Sequence, residues 1–239
     1  MIKTILFDMD GTLLPMKDVK YFEKLYFKGL ATKLAPLGYE PSKLIEGVWA
    51  GTAAMIHNDG SVVNSDAFWK VFTDLFGSKA SKDIPVFDEY YRNEFVVAKG
   101  ACGYNAKAVE IVKHLNKCGI RLVLATNPLF PLVAQASRIS WAGLEESNFA
   151  YISHYDNSHY CKPNLSYYEE IVEKLGLNPA ECLMVGNDVN EDMIAEQLGM
   201  KVFLVTDCLL NPSNKDISVY PHGNFDDLGQ YLSQLGIGK

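Results

Sequence analysis

With 239 residues, 48% of them hydrophobic and 12% aromatic, the chain is long enough for one large domain or for a core carrying a smaller insert. Its net charge of −7, from 22 basic and 29 acidic side chains, speaks against nucleic acid or an anionic membrane as a partner. No run approaches the roughly eighteen apolar residues of a membrane span, and Asp8 cuts off the apolar start, so neither a span nor a signal peptide is expected.

The first element is the strand Ile5-Leu6-Phe7, ending in Asp8-Met9-Asp10-Gly11-Thr12. Residues two apart on a strand share a face, and ligands in open α/β sheets bind at the carboxyl ends of strands, so Asp8 and Asp10 are expected together at a site. Two adjacent carboxylates repel, and hard oxygen ligands suit Mg²⁺; one carboxylate is then available as nucleophile and the other as acid and base. Taken alone, the same residues also read as a capped strand-to-helix turn.

Residues 15 to 100 carry helical patterns and no convincing strand. Tyr21 to Leu34 gives one amphipathic stretch, and Phe68, Val71, Phe72 and Leu75 a second stripe. The segment is charge-balanced, with 11 basic and 11 acidic side chains, which leaves 11 basic and 18 acidic elsewhere. Small and rigid residues near Pro15 and at Gly100 to Gly103 mark its two hinges. Lys17, Lys20, Lys24 and Lys28 would form a basic stripe on a helix, read as a solvated face in preference to an anion-attracting rim. His57-Asn58-Asp59-Gly60 reads as a turn, with His57 and Arg92 as further candidates for substrate contact. The aromatic residues Trp49, Phe68, Trp69, Phe72, Tyr90 and Tyr91 are expected to form the core of this segment.

From residue 104 onward helices and strands alternate, the pattern of a parallel sheet wrapped by helices. Ala108, Ile111, Val112 and Leu115 form a helical stripe stopped by Gly119, and the strand Ile120 to Ala125 follows. Phe149 to Ser153 reads as a short strand. Ser166 and Glu169 predict a capping box for a helix with Tyr168, Ile171, Val172 and Leu175 buried, closed by Gly176. Cys182 to Val185 and Lys201 to Val205 read as strands, and Leu228, Tyr231, Leu232 and Leu235 as a closing helix.

The ends of these predicted strands carry Asp8 with Asp10, Thr126 with Asn127, and Asp188 with Asp192; Lys162 joins from a loop. A threonine hydroxyl and the next backbone N–H can hold phosphoryl oxygens, a lysine supplies positive charge, and further carboxylates complete an Mg²⁺ shell. Each singly has a plain structural reading as a turn, a solvated loop or an acidic first helical turn. His154 and His159, beside Lys162 in sequence, read as surface-loop histidines. The five cysteines, at 102, 118, 161, 182 and 208, are odd in number and contain no Cys-X-X-Cys pair, which points to a reducing, cytoplasmic compartment rather than a disulfide framework.

Together, Asp8-Met9-Asp10-Gly11-Thr12, Ala125-Thr126-Asn127, Lys162-Pro163 and Gly186-Asn187-Asp188 through Asp192 resemble, in order, the four motifs of the haloacid dehalogenase superfamily, over the whole chain. The resemblance implies a doubly wound, Rossmann-like, mostly parallel core at residues 1–14 and 101–239 with a smaller all-helical cap at 15–100. It implies an Mg²⁺-dependent phosphatase acting on a small phosphorylated metabolite. Asp8 would form an aspartyl phosphate, and Asp10 would protonate the leaving alcohol and then activate water. Asp8, the Asp10 backbone carbonyl and Asp188 would bind the metal. Thr126, the Asn127 backbone and Lys162 would hold the phosphoryl oxygens, with Asp192 orienting Lys162 or the metal's waters. The family usually has Asp directly after the glycine of the fourth motif, where this chain has Asn187; Asp188 is preferred as ligand for its full charge, with Asn187 as the other possibility. The family's dehalogenases lack the second Asp of the first motif, which favours a phosphatase or phosphomutase. A phosphomutase, or a protein that binds a phosphoryl ligand without turnover, are the alternatives.

Overall fold

The computed structural model describes residues 1–16 and 18–237; Lys17, the first residue of the basic stripe, lies outside the described residues. The sheet is built around β1 (Thr4–Phe7), which pairs in parallel with β2 (Arg121–Leu124) on one side and β4 (Cys182–Gly186) on the other. With β3 (Tyr151–Ile152), β5 (Lys201–Val205) and β6 (His222–Gly223) it makes a six-stranded sheet of order β3-β2-β1-β4-β5-β6, all neighbours parallel.

Both faces of this sheet are covered, so its central strands are apolar at every position rather than alternating. On one face Ile5, Phe7, Leu122, Leu124, Leu183 and Val185 pack into a core with α5 (Ala106–Lys117), α6 (Leu132–Trp141) and α8 (Phe225–Gln234). On the other, Leu6, Val123, Met184, Val202 and Leu204 meet Tyr167, Tyr168 and Ile171 of α7 (Leu165–Leu175) and the short 3₁₀ segment Met193–Leu198.

Between β1 and α5 the described residues hold no strand. They form α1 (Val19–Leu34), α2 (Pro41–Ile56), α3 (Asn64–Phe76) and α4 (Lys79–Asn93), closed by a 3₁₀ segment at Phe95–Ala101. The chain leaves and re-enters the sheet domain at one point, where the Gly103 amide donates to the Pro15 carbonyl at 2.7 Å. The tip of the α2–α3 hairpin docks on the other domain: the Asn64 amide donates to the Ser158 carbonyl at 2.8 Å and the Ser65 amide to the Tyr155 carbonyl at 2.9 Å. The buried Asn64 side chain also donates to Tyr160 O and Cys161 Sγ, each at 3.4 Å.

Several expectations are corrected. Strand β1 ends at Phe7, before both carboxylates, so Asp8 and Asp10 are placed by the following turn and not by the pleat. The predicted strands 120–125 and 149–153 shorten to Arg121–Leu124 and Tyr151–Ile152. Helix α7 starts two residues earlier than the Ser166–Glu169 signature places it: Asn164 caps it by accepting from the Ser166 amide at 3.0 Å, while Ser166 Oγ donates to Glu169. Leu75 faces solvent, and Phe68, Phe72 and Phe76 make the inner stripe of α3. Helix α6 and strand β6 were not legible in the sequence.

Candidate active site

The carboxyl ends of β1, β2 and β4 are adjacent, so the turns that follow them converge. After β1, Gly11 takes φ +83°, and the Gly11 amide donates to Leu14 O at 2.8 Å; a side chain there would also collide with the Asn187 amide. This tight turn brings Asp8 and Asp10 to the floor of one cavity, together with Thr126 and Asn127 after β2 and Asn187, Asp188, Glu191 and Asp192 after β4.

Lys162 is fully buried and ties the turns together, donating to Asp8 Oδ1 at 2.9 Å and to Asp192 Oδ1 at 2.7 Å. Burial opposes its charge, but Asp192 and Asp8 outweigh that and hold the ammonium well above its ordinary pKa. Burial pushes Asp8 up to about 7 against the pull of Lys162, helped by repulsion from Asp192 and Asp10. Asp192 also accepts the Asp188 amide at 2.9 Å through its second oxygen. The Thr126 carbonyl accepts Ser153 Oγ at 2.7 Å and the Tyr167 hydroxyl at 2.9 Å, which fixes the backbone that carries the Thr126 side chain.

The two candidates for the fourth-motif ligand are differently engaged. Asn187 spends its amide on the scaffold, accepting from Thr12 Oγ1 at 2.8 Å and donating to Cys208 O at 2.7 Å. Asp188 uses only Oδ1 locally, accepting the Asn190 and Glu191 amides at 2.7 and 2.9 Å.

Two side chains at the site were missed by sequence reasoning. Glu191 accepts from Asn127 Nδ2 at 3.1 Å, and burial pushes it up to about 7; its place inside the fourth motif was the available signal. Arg138, from α6, is fully buried, donates to Asp10 Oδ2 and to Gln135 Oε1, and lies 4.7 Å from the Phe130 ring centroid. The signal was a polar i, i+3 pair, Gln135 and Arg138, on the same apolar helix as Ala134 and Ile139.

The chemistry of the donor set fits a small hard cation. Asp10 Oδ1 is buried with no hydrogen-bond partner among the described residues. Buried carboxylates pushed toward neutrality are the environment that a divalent cation relieves. Among the described residues no three His, Cys, Asp or Glu side chains are grouped at metal-ligand spacing. Asp8, Asp10 and Asp188 offer hard oxygen donors to the cavity, the donor type that Mg²⁺ takes alongside water and substrate phosphate.

The cavity encloses about 320 Å³ between the sheet domain and the helical segment. Here the expectation for the aromatic residues is partly overturned. Phe68, Phe72 and Tyr90 are core, but Phe68 also lines the cavity together with Trp49, Trp69 and Tyr91, because the inner face of the helices is also its roof. Lys20, Lys24 and Lys28 are exposed and outside its lining, as are His57 and Arg92. His154 pairs with Asp156 and His159 with Glu170, both outside the cavity lining.

Comparison with known proteins agrees with this arrangement. A curated "Glyceraldehyde 3-phosphate phosphatase" of Methanothermobacter thermautotrophicus is 26% identical over 208 residues, 86% of each chain. Among solved structures, a 2-haloacid dehalogenase from Pseudomonas syringae pv. Tomato superposes with a TM-score of 0.62 at 19% identity, covering 98% of this chain and 100% of the other. A HAD phosphatase from Thermococcus onnurineus gives 0.58 at 18% identity, with 99% of each chain covered. At these identities the structures speak for the fold alone. The model of the haloacid dehalogenase-like hydrolases matches residues 2–199, from the first strand through all four motifs, and the chain is an enzyme belonging to that family.

Proposed function

We propose that the chain is an Mg²⁺-dependent phosphomonoester hydrolase working through an aspartyl phosphate, with residues 15–100 as the cap. The observation that carries this reading is Lys162 buried between Asp8 and Asp192, with Asp8 opening onto the same cavity as Asp10. An ammonium against a nucleophilic carboxylate has a use when a phosphoryl group, with its own negative oxygens, must approach that carboxylate.

In the first step an Asp8 oxygen forms a bond to phosphorus as the ester P–O bond breaks. Asp10 gives its proton to the departing alcohol oxygen, without which an alkoxide would have to leave. In the second, water attacks the aspartyl phosphate, Asp10 takes its proton back from that water, and Asp8 is regenerated with release of inorganic phosphate. Lys162, the Thr126 hydroxyl and the Asn127 backbone N–H hold the transferring oxygens. Asp192 orients Lys162, and Arg138 orients Asp10. Asp8, the Asp10 backbone carbonyl and Asp188 would hold Mg²⁺, which would supply screening of the negative charge that accumulates there; Asn187, tied to Thr12 and Cys208, supports that loop.

The Asp10 carboxyl is needed for an alcohol leaving group and not for a halide, which supports ester hydrolysis over dehalogenation. Among the described residues no Lys, Arg or His lines the cavity to keep a second phosphate in place, which supports a hydrolase over a mutase. Five free thiols fit a reducing compartment such as the cytoplasm, and no helix among the described residues is long and apolar enough to cross a membrane.

The test is phosphate release from phosphate monoesters, glyceraldehyde 3-phosphate included, with Mg²⁺, with EDTA and with Asp8→Asn, alongside halide release from 2-chloropropionate. The reading expects phosphate release that EDTA abolishes and that Asp8→Asn lowers by about 10³ or more. Halide release without phosphate release would overturn it.

A further inference from the structure

The cavity above Asp8 has a sharply divided lining. Its carboxylates lie on the floor, apart from Glu23. Its walls are Phe27, Trp49 and Trp69 from the helical segment and Leu129, Phe130 and Tyr155 from the sheet domain. The hydroxyls of Tyr26 and Tyr91 are bonded to each other at 2.8 Å rather than turned to a ligand. Among the described residues of the helical segment, the polar groups left in the lining are Glu23, Thr52 and the indole N–H groups of Trp49 and Trp69.

The walls are fixed by packing. Trp69 meets Phe87 edge-on at 5.1 Å, Phe27 packs on Trp49 at 5.4 Å, and Phe130 sits 5.7 Å from Tyr26. A polyol entering this space would give up its hydrogen bonds to water for few replacements. Among the described residues a second anionic group would meet no Lys, Arg or His in the lining and would face Glu23 and Glu191. An apolar ring loses nothing there and gains contact with aromatic faces.

We propose that the phosphoryl ligand of this site is a monoester of an apolar, ring-bearing alcohol with no charge beyond its phosphate, rather than a sugar, glycerol-type or bisphosphorylated ester. This rests on the phosphohydrolase reading for its catalytic arm, and only on the cavity for its binding arm. About 320 Å³ accommodates a group of benzyl or phenylethyl size.

The experiment compares kcat/KM for benzyl and cyclohexylmethyl phosphate with that for glycerol 3-phosphate and glyceraldehyde 3-phosphate, all esters of primary alcohols, with Mg²⁺ present. In parallel, benzylphosphonate and methylphosphonate are titrated into the same protein and read by tryptophan fluorescence, since Trp49 and Trp69 line the cavity. The expected result is at least a tenfold preference for the ring-bearing compound in both arms, shrinking several-fold in Trp49→Ala. Trp49 is 46% exposed, so its removal leaves the fold intact. Preference for the glycerol-type esters, or equal binding of the two phosphonates, overturns the proposal. Selective benzylphosphonate binding with no ester hydrolysed supports the cavity's ligand class and overturns the hydrolase reading instead.

Discussion

Arg138 is buried beside Asp10 and donates to the carboxylate oxygen that faces away from the unpartnered Oδ1. Holding one oxygen directs the other, so in the proposed mechanism the guanidinium would fix where Asp10 gives and takes its proton. Arg138→Met is expected to lower kcat about tenfold to a hundredfold with KM changed little, and Arg138→Lys to restore only part of it, since an ammonium cannot also reach Gln135 in the same fork. Losing one partner of a buried pair should also cost about 3 kcal/mol in urea unfolding. The cysteines give a second check. Burial pushes the Cys161 thiol up to about 12 and Cys182 up to about 11, so neither forms thiolate until the pH nears those values. With iodoacetamide at pH 8, exposed Cys118 is expected to react first, and Cys161 and Cys182 only after denaturation. The first-motif aspartates, Thr126 and Asp192 were legible at this scale because each sits in a short motif following a strand, and Lys162 because it opens the Lys-Pro pair of a loop between them in sequence. Arg138 was not, because its partner lies 128 residues away and no local spacing reports it.

At the scale of elements, the helical segment depends on how closely α2 approaches α3. Gly47 and Gly51, one turn apart, leave a groove filled by the rings of α3: a Cβ on Gly47 would stand 2.4 Å from Phe76, and one on Gly51 2.5 Å from Phe68. Gly51→Leu is expected to destabilise the protein by about 1–3 kcal/mol through overpacking, and to shift the urea midpoint without changing the slope. Because Phe68 also lines the cavity, the same variant should raise KM for whatever ester is preferred. Elements with a clean period, such as α1, α5, α7 and the buried strands, could be read from the sequence. Helix α6 could not, since Gln135 and Arg138 point inward and break its apolar stripe. Strand β6 spans two residues, too short for any alternation to register.

For the molecule as a whole, aromatic packing such as Phe95 on Trp141 at 5.0 Å holds the helical segment to the sheet domain, and backbone hydrogen bonds tie them first at the paired hinge at Pro15 and Gly103 and second at the α2–α3 tip at Asn64. The second is the removable one, and it rests on the loop that runs directly into Lys162. Asn64→Ala strips a buried side chain of its bonds to Tyr160 and Cys161, with an expected loss of about 1–3 kcal/mol. The Ser65 amide, which bridges to Tyr155, should then exchange with solvent faster, measured by hydrogen–deuterium exchange. The two-part organisation was foreseeable from the change in texture near residue 100. The docking was not, because asparagine side chains bridging two distant loops leave no periodic trace.

The central position of β1 bears on how the chain acquires its structure. Thr4 pairs with Arg121 and with Cys182, so the strand bearing Asp8 finds no sheet partner until residues far along the chain have been made. During synthesis the four helices emerge first and pack through local contacts, while the apolar segment Thr4–Phe7 waits unpaired. The same delay makes activity a late event: Asp8, Lys162 and Asp192 meet only once β4 has closed against β1. Recovery of turnover after dilution from urea should therefore follow sheet formation and lag behind the return of helical signal, and a nascent chain stalled before β4 should be helical and inert.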